Sequence, residues 1–85
     1  MENTVHVRYF AGLRELLGVE AEEIKISSSS VKLGEFLNRI VELHPEIKTR
    51  LKAAAVAINL EVDNSKEQKI RVGDEIAFMP PVGGG

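Results

Sequence analysis

Cysteine is absent from the 85-residue chain. That removes disulfides, a thiolate nucleophile, cysteine-ligated zinc and cysteine-ligated iron–sulfur clusters. Extracellular domains of this size commonly carry disulfide staples, so the expected location is the cytoplasm. Charge of one sign is also lacking: 11 Lys and Arg against 13 Asp and Glu leave a net charge of -2. Such a balance does not provide the cationic field of a nucleic-acid or anionic-membrane binder, so neither partner is expected. Long apolar runs are missing as well. The longest, residues 53–58 (AAAVAI), is far too short to cross a bilayer. The opening MENTVHVRYF has no basic stretch followed by an apolar one, so no secretory signal is expected.

What remains suffices for one small core. A chain this long buries only about 60% of its unfolded surface, so a single domain over residues 1–85 is expected, with little room for an enclosed pocket. Residues 4–10 (TVHVRYF) alternate: Val5, Val7 and Tyr9 face one way, His6, Arg8 and Phe10 the other, the period of a strand. Leu13, Leu16 and Leu17 mark a short helix with Gly18 just past its end. Residues 22–27 (EEIKIS) alternate again, with Ile24 and Ile26 inward. Leu33, Phe36, Leu37, Ile40 and Val41 form the stripe of an amphipathic helix, which Pro45 ends near His44. Ser30 is its best N-cap by chemistry. Ile47 and Leu51 predict a further helical turn.

Residues 55–59 (AVAIN) read as a strand, 63–65 as a turn, and Ile70 with Val72 as a brief strand. Gly73-Asp74 turns the chain into residues 75–79 (EIAFM), with Ile76 and Phe78 on one face and Ala77 and Met79 on the other. One main helix over a mixed sheet predicts a two-layer α+β domain with a β-grasp arrangement. Its expected core is Val5, Val7, Ile24, Ile26, Leu33, Phe36, Leu37, Ile40, Val56, Ile58, Ile76 and Phe78.

The last six residues, 80–85 (PPVGGG), carry the most information. Pro80 and Pro81 cannot donate backbone hydrogen bonds and favour an extended chain. Six extended residues reach about 20 Å. Gly83, Gly84 and Gly85 leave the end without side chains, able to enter a channel too narrow for any other residue. Such a tail can place a terminal carboxylate deep inside another protein. A carboxylate is a poor electrophile; ATP would convert it to an acyl-adenylate, and sulfur delivery would leave a thiocarboxylate. A bare glycine terminus can equally be a disordered end, but here it follows a strand through Pro-Pro at the close of a β-grasp pattern.

Other chemistry is sparse. His6 and His44 form no metal-ligand pattern, and no metal site is expected. The run 27–30 (SSSS) lacks the surroundings of a nucleophile and reads as a solvated loop. Lys48, Arg50 and Lys52 form a small basic patch, read as solvation. Phe10, Val62 and Met79 are more telling. Phe10 and Met79 point away from the core by alternation, and exposed large apolar residues on one face mark a binding surface.

The segments VRYFAGLRELLG, VAIN and GDEIAFMPPVGGG resemble, in order and spacing, the MoaD group of the MoaD/ThiS sulfur-carrier family. The resemblance spans essentially the whole chain, and its specific part is the GDE–apolar–PPV–glycine ending. Gly83 departs from it, since Ser or Ala is more usual there. The turn around residues 66–69 aligns poorly. The resemblance implies a ubiquitin-like β-grasp fold, a mixed sheet packed on one main helix with a flexible C-terminal Gly-Gly tail, and a non-catalytic carrier with no bound cofactor. A ubiquitin-activating-type adenylyltransferase would use ATP to activate Gly85, which becomes a thiocarboxylate. The large subunit of molybdopterin synthase would bind Phe10, Val62, Met79, Pro80 and Pro81, admit Gly83 and Gly84 to its active site, and use the sulfur to build the dithiolene from a pterin precursor. Three alternatives remain at this level. One is a ubiquitin-like modifier joined to lysines through Gly85. Another is a ThiS-type carrier for thiazole synthesis. The last is an adaptor whose tail has no chemistry.

Overall fold

The computed structural model describes residues 3–63 and 65–80. The first alternating segment is strand β1, Thr4–Tyr9, and the leucine-rich segment after it is helix α1, Ala11–Leu17. Gly18 closes α1 at φ 76, its N–H bonded to the Arg14 carbonyl at 2.8 Å. Only a residue tolerant of the left-handed region ends a helix this way. Strand β2, Ala21–Lys25, returns antiparallel to β1 with Ile24 opposite Val5. Strand β3, Ser30–Lys32, leads directly into helix α2, Leu33–Leu43. Pro45 starts a 3-10 turn, Pro45–Ile47, that runs into helix α3, Lys48–Ala53. Four strands follow: β4, Ala55–Ile58; β5, Glu61–Val62; β6, Lys69–Arg71; and β7, Glu75–Met79.

The main sheet has the order β2-β1-β7-β4-β5. β7 lies at its centre, parallel to β1 and antiparallel to β4. β3 and β6 pair separately. This is the β-grasp architecture read from the sequence: a mixed sheet closed on one face by its main helix.

The inner face carries Val5, Val7, Tyr9, Ile24, Val56, Ile58, Ile76 and Phe78, packed against Leu33, Phe36 and Ile40 of α2 and Ile47 beyond it; all are buried. Ten of the twelve expected core residues are buried, while Ile26 and Leu37 are only partly buried at the margin. Val72, grouped with Ile70 in the sequence, is 40% exposed, because β6 ends at Arg71.

Two strands went unread. β3 and β5 hold three and two residues, too few to display a period. The N-cap expectation for Ser30 is corrected. Ser30 belongs to β3, and Lys32 precedes α2 without a side-chain cap. The first α2 amides are satisfied by a distant loop: the Gln68 carbonyl accepts from Leu33 at 2.8 Å and the Lys66 carbonyl from Gly34 at 3.1 Å. With those donors already paired, a capping hydroxyl is unnecessary.

Candidate functional site

Among the described residues, the outer face of the sheet is not the one that α2 covers. Pairing register places Arg8, Ala77, Ala57 and Val62 in one row across β1, β7, β4 and β5. The next row holds Met79 opposite Ala55, with Phe10 beside them, since the Phe10 N–H donates to the Phe78 carbonyl at 3.1 Å. Three alanines thus form a flat floor, and larger apolar residues stand at its margin. Ala55 and Ala57 are buried.

Phe10 and Met79 come together, as expected, in one groove with Leu13, Ala54 and Pro80. Phe10 is 38% and Val62 61% exposed. Val62 sits on the same face across the alanine floor rather than in that groove. Pro80 is the last described residue and lies at the groove's end. Pro81, Gly83, Gly84 and Gly85, the remaining expected site residues, lie outside the described residues.

Leu60, in the turn between β4 and β5, is a further exposed apolar residue. It is 88% exposed and sits at φ 74, after Asn59 at φ 50. Two successive positive φ values make the two-residue hairpin turn that usually takes Asn-Gly. Leucine in this conformation costs about 1–3 kcal/mol. The turn is braced from β7: the Asn59 N–H donates to the Glu75 carbonyl at 2.8 Å, and the Glu75 N–H donates to Asn59 Oδ1 at 2.9 Å. Asn59 Nδ2 also donates to Asp74 Oδ1 at 3.1 Å. The sequence signal was a leucine where a hairpin wants glycine.

Both histidines acquire carboxylate neighbours that linear spacing did not reveal. His6 pairs with Glu23 across β1 and β2 on the outer face. His44 Nε2 lies 2.8 Å from Glu22 Oε2, the same oxygen that accepts the Tyr9 hydroxyl hydrogen at 2.6 Å. The Tyr9 and His44 rings meet edge-on with centroids 6.2 Å apart. Burial first, and then the Glu22 carboxylate that accepts its proton, push the Tyr9 phenol far above its ordinary range. This cluster ties the end of α2 to the sheet. Among the described residues no group of three or more His, Asp or Glu could hold a metal ion. No helix there is long and apolar enough to cross a membrane.

Comparison with known proteins agrees with the fold. The ThiS family model matches residues 7–85. The molybdopterin synthase sulfur carrier subunit of Chlamydomonas reinhardtii is 30% identical, over 95% of this chain and 98% of its own length. SAMP1 of Haloferax volcanii superposes with a TM-score of 0.81 at 26% identity, over 96% of this chain and 99% of its own. Subunit 1 in the complex of subunits 1 and 2 of the molybdopterin-converting factor from Helicobacter pylori is similar too. There the TM-score is 0.68 at 29% identity, over 96% of this chain and 99% of that one. The family match runs from the middle of β1 through the glycine ending, on a β-grasp frame. The chain therefore belongs to the ThiS family, the MoaD/ThiS sulfur carriers that its sequence resembles.

Proposed function

We propose that this chain is the sulfur carrier of molybdopterin synthesis, acting in the cytoplasm as the non-catalytic partner of a large synthase subunit. The Gly85 carboxylate attacks the α-phosphorus of ATP in a ubiquitin-activating-type adenylyltransferase, and pyrophosphate leaves. Hydrosulfide then attacks the acyl carbon, the bond to the AMP oxygen breaks, AMP leaves, and the terminus ends as a thiocarboxylate. The outer sheet face docks on the large subunit through Phe10, Leu60, Val62 and Met79. Pro80 and Pro81 carry the tail forward, and Gly83 and Gly84 pass the narrow part of the channel. ATP belongs to the activating partner, the catalytic groups belong to the large subunit, and this chain holds no cofactor of its own.

The observation that carries this reading is the course of β7. It lies at the centre of the sheet, buries Ile76 and Phe78, turns Met79 onto the outer face and leads into the tail. The Helicobacter pylori complex of subunits 1 and 2 supports a large-subunit partner. A second reading, a protein modifier joined through Gly85 to lysines, is favoured by the likeness to SAMP1. Both use the same adenylate, and they differ in whether sulfur or an amine attacks it.

ATP–pyrophosphate exchange with the activating enzyme tests the shared step. Gly84→Phe, and a chain extended beyond Gly85, should lose exchange, because bulk at residue 84 blocks the channel and an extension carries the carboxylate past the nucleotide. Their melting temperatures should match the unaltered protein, since the substitutions lie beyond the last strand. Full exchange by either variant would contradict the threading mechanism.

A further inference from the structure

The groove shared by Phe10 and Met79 also contains a cation. Leu13, Ala54 and Pro80 complete its apolar wall, its volume is about 280 Å³, and Arg50 of α3 lines it. The Arg50 guanidinium makes no hydrogen bond or ion pair with any described residue. Helix α3 divides its basic residues. Lys48 and Lys52, one turn apart, line a separate groove with Leu37 and Val41, whereas Arg50 alone turns toward the root of the tail. The basic run that reads as simple solvation in the sequence is thus split between two surfaces.

Two backbone features let the guanidinium sit there. A Cβ on Gly12 would stand 2.6 Å from Arg50 Nη1, so the missing side chain makes room for the cation. Ala11, the first residue of α1, is held at φ 50, a left-handed conformation that alanine rarely takes. Strained backbone beside a groove holding a guanidinium with no partner among the described residues is the feature that calls for a contact. A lone guanidinium set in apolar walls is complementary to a carboxylate, which it can hold through two parallel N–H bonds. Arg50 is exposed in the free chain, and a partner closing over the groove would bring the apolar walls around that bond and raise its worth.

We propose that this groove receives a partner segment presenting a carboxylate beside an apolar side chain. Arg50 holds the carboxylate, and Phe10, Leu13 and Met79 enclose the apolar group. Because Pro80 forms one end of the groove, the contact fixes the register of the tail on the partner. The inference rests on the reading of the outer face as the docking surface for the large synthase subunit, and names the chemistry of that contact.

The test is calorimetric titration of the large subunit with the unaltered chain and with Met79→Asp, Arg50→Lys, Arg50→Ala and Arg50→Glu, each melted in parallel. Arg50→Ala should weaken binding about tenfold and Arg50→Glu about a hundredfold, with Arg50→Lys between the unaltered chain and Arg50→Ala. Melting temperatures of the Arg50 variants should be unchanged. Raising salt should weaken the unaltered chain more steeply than Arg50→Ala. If Met79→Asp weakens binding while Arg50→Glu binds like the unaltered chain, the carboxylate contact is overturned and the docking face stands. If the unaltered chain does not bind the large subunit, the docking reading falls and this inference falls with it.

Discussion

The two faces of one sheet are built from the same strands and have opposite characters. In β7 the inward residues are Ile76 and Phe78, both fully buried; the outward ones are Ala77 and Met79. In β4 the inward residues are Val56 and Ile58, and the outward ones are Ala55 and Ala57. The inner face fills its volume with branched and aromatic side chains that α2 covers. The outer face keeps alanine at its centre and places Phe10, Val62 and Met79 around it, with Leu60 at the adjoining hairpin tip. Large residues inside stabilise the fold. Small residues outside leave a flat floor on which another protein can lie closely. The lesson is that alternation along a strand separates stability from recognition residue by residue.

Substitutions on the inner face should therefore cost stability. Phe36→Ala should lower the unfolding free energy by about 3–5 kcal/mol in denaturant titration. A loss below about 1 kcal/mol would place the ring at the surface and break the comparison. The outer face should behave the other way. Phe10→Asp and Met79→Asp should retain native circular dichroism and each weaken large-subunit binding by about 3 kcal/mol, because each replaces an apolar contact with a carboxylate that the interface must desolvate. Native binding by both would remove the outer face from the docking surface.

Tyr9 tests the inner face at its polar edge. Tyr9→Phe removes a hydrogen bond to a carboxylate and should cost about 2 kcal/mol. The folded state favours the neutral phenol, so its contribution is complete below the unfolded value of about 10 and is lost as pH rises above it. Alkaline melting curves should thus fall more steeply for the unaltered chain than for Tyr9→Phe. The smallest expected effect is also the sharpest. Leu60→Gly should raise stability by about 1 kcal/mol by relieving the positive φ, yet weaken large-subunit binding. A gain in stability with native binding would make Leu60 a bystander.

Alternation was legible wherever a strand held four or more residues, which is why Val5, Val7, Ile76 and Phe78 could be placed in the core and Phe10 and Met79 outside it. The helix end at Pro45 and the left-handed Gly18 were legible because each depends on one residue's backbone chemistry. What stayed hidden depended on distant partners. The loop carbonyls of Lys66 and Gln68 cap α2, so Ser30 was free to form β3. Glu22 meets Tyr9 and His44 from 13 and 22 residues away. The turn to opposite sides of Lys48 and Arg50 exists only once α3 lies between two grooves. Leu60 broke a turn rule, and a broken local rule is often where function sits.

The central claim is that the end of this chain carries sulfur. Intact-mass spectrometry of the protein purified from its own host tests it most directly. The account predicts a population heavier than the free acid by one oxygen-to-sulfur replacement, located at Gly85 by fragmentation and absent from Gly84→Phe. A mass ladder of isopeptide adducts at Gly85, with no sulfur-bearing species, would contradict it and give the chain the role of a protein modifier.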